Sequence, residues 1–448
     1  MSKKKFNLLV CERINPFKKS ILVDPDKSIS IRSFLIGAIS QNLSVASNVL
    51  ESEDVFSTIK CLKKLGVKIK KKNEKKYFIF GKGLGSLFAE KNLKLDFGNS
   101  GTASRLLTSI LSTTPNIEVK LTGDRSLKKR SMKKLIDLME AFGATFLPKN
   151  KFKFPLTMIS SGMPIGISYN AGVSAQLKSA VMLAGLNSYG VTTITENYKS
   201  RDHTENMLLK NRKSIKIKNR RKKIIKIFGK RNLYPIKINV PNDPSSAAFF
   251  SALALLNKNS SLAIKNVGLN PTRLGFYKLL KKQGAKISFK NIKKNNNELI
   301  GDIFVKSCKL NPINASKEYY TIMTDEYPIL FVMAALIKGI SKFKGISDLA
   351  NKESNRIIEM QKVLEQVNIK TKILNDEFII YGQGIFDASN EEINVPNLGD
   401  HRICMSSFIL ALLTGAKTKI KNFETVFTSS PSFLKIMKNL GARFEIQN

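Results

Sequence analysis

At 448 residues, 42% apolar and 8% aromatic, the chain has room for two or three domains and the composition of a folded protein, which excludes a disordered tether. Its 75 Lys+Arg against 34 Asp+Glu leave a net charge of +41, a field that favours anionic partners such as nucleic acid, a membrane surface or a phosphorylated metabolite. Four cysteines without a C-x-x-C pair and only two histidines exclude a zinc cluster of the usual spacings.

The first stretch, "MSKKKFNLLVCERINPF", has basic residues but too short an apolar run for a signal peptide. No apolar segment reaches the roughly 20 residues that a membrane helix needs. A cytoplasmic protein with free thiols is expected. The first helix is read from "DKSISIRSFLIGAIS", where Ile31, Phe34, Leu35, Ala38 and Ile39 form a buried stripe. Ser28 is the expected N-cap, with Lys27 before it and Arg32 four residues on. Next comes "CLKKLGVKIK", a helix closed by Gly66 and followed by a strand.

"DFGNSGTASRLL" looks built for a phosphate, yet it lacks both the P-loop spacing and the three glycines of a dinucleotide fingerprint. Ser100 or Thr102 can cap its helix, and Arg105 falls near the first turn. The helix–Gly–strand mark recurs in "LMEAFGATFL", with Gly143. "VSAQLKSAVMLAGL" then opens a helix with Ser174 at its start and Gln176 beside it. A degraded third mark, "MLLKNRKSIKI", has Lys213 where glycine is expected. The segment 209–230 around it is the most basic run and alternates Ile with Lys, so a solvated edge strand or hairpin is expected rather than a nucleic-acid patch.

Near Asp243, "VPNDPSSAAFF" opens a new helix with Pro241, Pro244 and Ser245 as punctuation, a natural boundary between halves. The remaining marks are "LLKKQGAKIS" with Gly284, "VLEQVNIKTKI" with Asn368, and "IMKNLGARFE" with Gly441. Successive marks lie roughly 70 to 84 residues apart, too far for a solenoid and suited to six supersecondary units of mixed strands and helices. "NKESNRIIEMQKVL" places Lys352 and Arg356 four apart on one expected helix, and "LGDHRICMSSFILALL" puts Arg402 at another helix start.

A cation at a helix N-terminus opposes the macrodipole at a cost of about 0.3–1 kcal/mol. An anion lying between the cation and the exposed N–H groups removes that cost. One such cation is ordinarily a solvated side chain. Several, each beside Ser, Thr, Asn or Gln, point to a site for small polyanions collected from many helix ends.

The ordered set "DKSISIR", "GNSGTASR", "SLKKRSM", "SAQLKSAVMLAGL", "SRDHTENM", "DPSSAAF", "TDEYP", "NKESNR" and "GDHR" resembles the EPSP synthase (3-phosphoshikimate 1-carboxyvinyltransferase) family, and "SAQ" with "RDHTE" resembles its class II bacterial subgroup. The resemblance runs from about Lys27 to Pro431. It implies an α/β, two-domain enolpyruvyltransferase-like fold of six βαβαββ units, three per domain, joined by a double crossover. Residues 24–240 would form one domain, and 1–23 plus 241–448 the other. The implied reaction moves the enolpyruvyl group of phosphoenolpyruvate to the 5-hydroxyl of shikimate 3-phosphate, with no cofactor and no metal. A monomer is expected, with no specific nucleic acid and no membrane as partner.

Carried over by motif, Lys27, Ser28, Arg32, Ser174, Gln176, Ser200, Arg201, Asp325 and Lys352 would bind shikimate 3-phosphate. Lys27, Asn99, Gly101, Arg130, Gln176, Arg356 and Arg402 would surround phosphoenolpyruvate. Asp325, Glu353 and Lys27 are the implied catalytic set: Asp325 takes the 5-hydroxyl proton and Glu353 serves the methylene carbon. Both substrates carry a phosphate and a carboxylate, which guanidinium forks and ammonium groups suit. The sequence departs from the family at Ser131, Ala175 and Thr428, the last standing where other members carry a lysine. Two rivals are a UDP-N-acetylglucosamine enolpyruvyltransferase-like enzyme, which would need a reactive cysteine motif that is missing here, and a basic nucleic-acid-binding protein, for which no stacking-aromatic motif is present.

Overall fold

Helix–turn–strand junctions punctuate the chain in the computed structural model, which describes residues 5–219 and 221–447. The first four residues of the basic start, Arg220 of the lysine-rich segment, and Asn448 lie outside the described residues. Gly66, Gly143, Gly284 and Gly441 take φ of +81, +94, +90 and +103°, and Asn368 takes +58°. These left-handed positions release the chain from each helix, where a side chain with a branched or bulky Cβ would be strained. The third junction departs from expectation. Lys213 is not in the left-handed region, and the helix His203–Leu208 is instead left through two turns, Asn211 N–H to Leu208 O and Ser214 N–H to Asn211 O, both 2.8 Å.

Among the described residues the strands form six four-stranded sheets, each containing one parallel pair. This is the α/β architecture of six mixed units that the repeated marks imply. The chain divides into two units, one of residues 1–24, 241–293 and 299–448, the other of 25–240 with 294–298.

In the unit built on residues 25–240, the helices Lys27–Ile39, Gly101–Ser112 and Ala175–Leu186 are central. They are buried on nearly all sides, so the narrow stripe read in the first of them is in fact a whole buried surface. In the other unit Pro244–Leu256, Tyr327–Ala335 and His401–Thr414 are buried at every position. The helices that precede the left-handed turns, such as Glu53–Lys64 and Phe433–Leu440, are amphipathic and face outward with lysines. Much of the charge excess is therefore surface.

The lysine-rich segment folds as the expected hairpin, Ile215–Asn219 against Lys223–Phe228, with the first strand at the sheet edge. Its pairing sets Ile217 opposite Ile225 and Lys216 opposite Lys226, one face apolar and the other solvated. Among the described residues, no helix is long and apolar enough to cross a membrane.

Candidate active site

The three central helices of the 25–240 unit each begin at a capped N-terminus. Asp26 caps Lys27–Ile39, its Oδ1 accepting the Ile29 N–H at 2.8 Å, so the cap is Asp26 and not Ser28. Both are capping residue types; Asp26 lies in extended backbone one step before the first helical residue, which is the geometry a cap requires. Ser100 caps Gly101–Ser112 through the Ala103 N–H at 3.1 Å, and Ser174 caps Ala175–Leu186 through the Leu177 N–H at 3.3 Å.

Cations stand on these ends, each with a partner that fixes it. Lys27 Nζ lies 3.1 Å from Asp54 Oδ2. Arg32 donates to Thr204 Oγ1 at 2.9 Å, Ser179 Oγ at 3.2 Å and Ser28 O at 3.0 Å. Arg130 follows the short helix Arg125–Lys129 and donates to Asn99 Oδ1 at 2.6 Å. A Cβ on Gly101 would lie 2.8 Å from the Nη1 atoms of both Arg105 and Arg130, so the absence of a side chain there lets two guanidinium groups approach the helix start. Gln176 donates to Thr102 Oγ1 at 3.0 Å, which joins the Ser174 end to the Ser100 end. Ser200 is 1% exposed and gives both its N–H and its O–H to Glu196, at 3.0 and 2.6 Å. Arg201 beside it is half-buried.

A second cluster lies in the other unit. Arg356, 1% exposed, is ringed by Glu353 at 2.6 Å, Asp400 at 2.9 Å and Asp325 at 3.6 Å. Burial works against its charge, but the carboxylates of Asp400, Glu353 and Asp325 outweigh it and push the guanidinium pKa up. Arg402 Nη2 lies 3.9 Å from Asp325 Oδ2, and its Nε and Nη1 are buried with no hydrogen-bond partner among the described residues. Asp400 caps this helix through the Arg402 N–H at 2.9 Å. Lys352 is held by Asp348 at 2.7 Å, and the same Asp348 oxygen accepts the Tyr320 O–H at 2.6 Å.

Lys352 and Arg356 do not share one helix, contrary to expectation. Lys352 ends the 3-10 turn Ser347–Asn351, and Asn355 caps a new helix, Arg356–Glu365, through the Ile358 N–H at 3.3 Å. Asn355 is a strong capping type, which is why the chain restarts there. Thr428 bonds its own turn at Thr425 O, 2.8 Å away.

Lys27, Arg32, Arg130, Arg201, Lys352, Arg356 and Arg402 are all buried or half-buried, in a protein whose other cations are largely solvated. Fixed, desolvated donors of this kind suit phosphate and carboxylate. Asp325 and Glu353 place two carboxylates beside Arg356. Sequence reasoning gave no site role to Asp54, Ser179, Thr204, Asp348 and Asp400, which hold these cations, and read Thr102, which accepts from Gln176, only as a possible cap. Among the described residues there is no group of three or more potential metal ligands.

Comparison with known proteins gives one result. A family model described as EPSP synthase (3-phosphoshikimate 1-carboxyvinyltransferase) matches residues 11–437. The chain is 35% identical over 443 residues to the 3-phosphoshikimate 1-carboxyvinyltransferase of Paramagnetospirillum magneticum, covering 98% of both chains. It is 38% identical over 433 residues to that of Thermodesulfovibrio yellowstonii, covering 96% of this chain and 99% of the relative. The EPSP synthase structure from Acinetobacter baumannii superposes with a TM-score of 0.84 at 34% identity, covering 99% of this chain and 100% of that one. The enolpyruvyl transferase NikO from Streptomyces tendae, at 13% identity and a TM-score of 0.75, covers 99% of both chains and shares the fold.

Proposed function

The chain belongs to the EPSP synthase family, and from that premise we propose how its side chains carry that family's reaction. The enzyme transfers the enolpyruvyl group of phosphoenolpyruvate to the 5-hydroxyl of shikimate 3-phosphate, releasing phosphate, in the shikimate pathway. The observation that carries the assignment of roles is the set of buried or half-buried cations, of which Lys27, Arg32, Arg130 and Arg356 are each fixed at or beside a helix start by a named acceptor.

Lys27, Ser28, Arg32, Ser174, Gln176, Arg201, Asp325 and Lys352 bind shikimate 3-phosphate in this reading; Ser200, expected among them, gives its N–H and O–H to Glu196 and shapes the loop beside Arg201 instead. Lys27, Asn99, Gly101, Arg130, Gln176, Arg356 and Arg402 bind phosphoenolpyruvate. The Nε and Nη1 of Arg402, buried with no hydrogen-bond partner among the described residues, support this, because a buried guanidinium face is costly until an anion accepts from it. Asp325 accepts the proton of the 5-hydroxyl as its oxygen adds to C2 of phosphoenolpyruvate, and Glu353 delivers a proton to C3. Elimination reverses the second step: C3 loses a proton to Glu353, the enol ether double bond forms, and phosphate leaves with the electron pair of its C–O bond and the proton that Asp325 had taken. Lys27 and the arginines offset the negative charge that gathers on the departing phosphate.

A UDP-amino-sugar transferase of the same fold is not favoured. Burial pushes the Cys61 thiol up to about 12 and raises Cys404 as well, and relatives at 35% and 38% identity are 3-phosphoshikimate 1-carboxyvinyltransferases. We also propose a monomer working in the cytoplasm, both binding clusters being supplied by one chain; a light-scattering mass of a single chain is the check. The roles are tested with Asp325→Ala. Phosphate release should fall by about 10²–10⁴-fold while shikimate 3-phosphate still binds. Undiminished turnover would remove Asp325 from the mechanism.

A further inference from the structure

We propose that Lys178, Glu196, Glu205 and Lys223 form a buried positioning device that sets Ser200 and Arg201 in place and thereby fixes the preference for a phosphorylated over an unphosphorylated shikimate. The inference rests on the binding roles given above and concerns residues outside them.

Lys178 is wholly buried, and its Nζ lies 2.7 Å from an oxygen of Glu196 and 2.7 Å from an oxygen of Glu205. Lys223 completes the square at 3.1 Å from Glu205 and 3.4 Å from Glu196. The four groups come from four elements: the helix Ala175–Leu186, the end of the strand Val191–Glu196, the helix His203–Leu208 and the strand Lys223–Phe228. Glu196 and Lys223 are direct cross-strand partners, so the sheet register itself brings one ion pair together.

Two positive and two negative charges cancel, so the square does not itself attract an anion. What it does is hold backbone. The Glu196 oxygen that takes Lys178 also takes the N–H and O–H of Ser200, folding residues 197–200 back over their own carboxylate. A hydroxyl that donates to a carboxylate has no proton left for a phosphate. Ser200 therefore acts by fixing the backbone from which Arg201 departs.

Arg32 is held beside the square, by hydroxyls rather than by its charges. Ser179 and Thr204 are the sequence neighbours of Lys178 and Glu205; they share a hydrogen bond of 2.8 Å, and both accept from Arg32. Buried ion pairs are weak stabilisers, often no better than apolar side chains of equal volume. A square of four serves a loop that must not move better than it serves stability. Charge is also fixed in the sense this role requires: Glu196 is penalised by burial, but Lys178, Ser200 and Lys223 hold its carboxyl below the ordinary range. One lysine of the basic 209–230 segment thus has a specific task.

The test compares full-length wild type with Glu196→Gln, Lys178→Met and Lys223→Met. It reads the Kd of shikimate 3-phosphate and of shikimate, KM for phosphoenolpyruvate, and melting temperature. Loss of positioning should raise Kd and KM for shikimate 3-phosphate by about tenfold, while Kd for shikimate and KM for phosphoenolpyruvate change by less than about twofold. An equal factor for shikimate and its 3-phosphate, or a lowered melting temperature with unchanged phosphate preference, overturns the proposal. Lys223, 22% exposed at its side chain, gives a variant expected to fold even where the other two do not. Wild type without preference for the phosphorylated ligand would overturn the binding roles themselves, an outcome distinct from variants that keep a preference wild type shows.

Discussion

Arg356 keeps its charge where burial alone would remove it, because Asp400, Glu353 and Asp325 surround it. Its pairing with Asp400 is direct, yet "GDHR" reads first as a source of Arg402 and only second as a source of the aspartate that caps the helix and grips Arg356. Candidate cations are legible in sequence because they break a rule, standing at helix starts against the dipole. Their carboxylate holders break none: Asp54, Asp348 and Asp400 look like ordinary surface or capping acids until the fold brings Lys27, Lys352 and Arg356 to them. Gly101 offers a test at this scale. An added Cβ meets only the movable ends of Arg105 and Arg130, so Gly101→Ala should fold with an unchanged melting temperature while both guanidinium groups are pushed aside. KM for phosphoenolpyruvate should rise about tenfold, as expected when a charged contact worth about 1.5–3 kcal/mol is weakened in part. An unchanged KM would remove this pair from the site.

Elements were legible where a local signal was strong. Glycine and asparagine in the left-handed region mark five junctions, and the third, lacking such a residue, left its helix by a different turn. Caps were legible only by type. Asp26 and Ser28 are both good caps two residues apart, and Asn355 starts a helix where charge spacing alone suggested a continuous one. The square around Lys178 was hidden for another reason: its members lie in four separate elements, and only sheet register and helix packing unite them. It carries a pH signature. The Glu196 carboxyl is held below its ordinary value of 4.5, so its contribution to stability is complete above that value and is lost as pH falls through the folded pKa. Lys223 is raised, burial being outweighed by Glu205 and Glu196, so its contribution is complete below 10.5 and lost at higher pH. Thermal melts of wild type and Glu196→Gln should therefore differ by a constant amount between about pH 6 and pH 8 and converge below about pH 4.5. A gap that stays constant into acid would show that Glu196 is not held in this way.

Over the whole molecule, a net charge of +41 resolves into two populations. Most of the lysines cover outward helix faces and strand surfaces, where they are solvated, as on Lys216 and Lys226 of the edge hairpin. A smaller set is desolvated and fixed, and it includes the site cations of each unit that the ordered motifs pick out. Composition gave no means of separating the two populations, since Lys178 and Lys216 are chemically alike and differ only in what the fold packs around them. We propose that these fixed cations and the carboxylates beside them carry one two-substrate transfer. Phosphate release by the purified full-length chain tests it most directly. Steady release is predicted when shikimate 3-phosphate and phosphoenolpyruvate are supplied together, and none with either alone; no release from the pair, or equal release from phosphoenolpyruvate alone, would contradict the account.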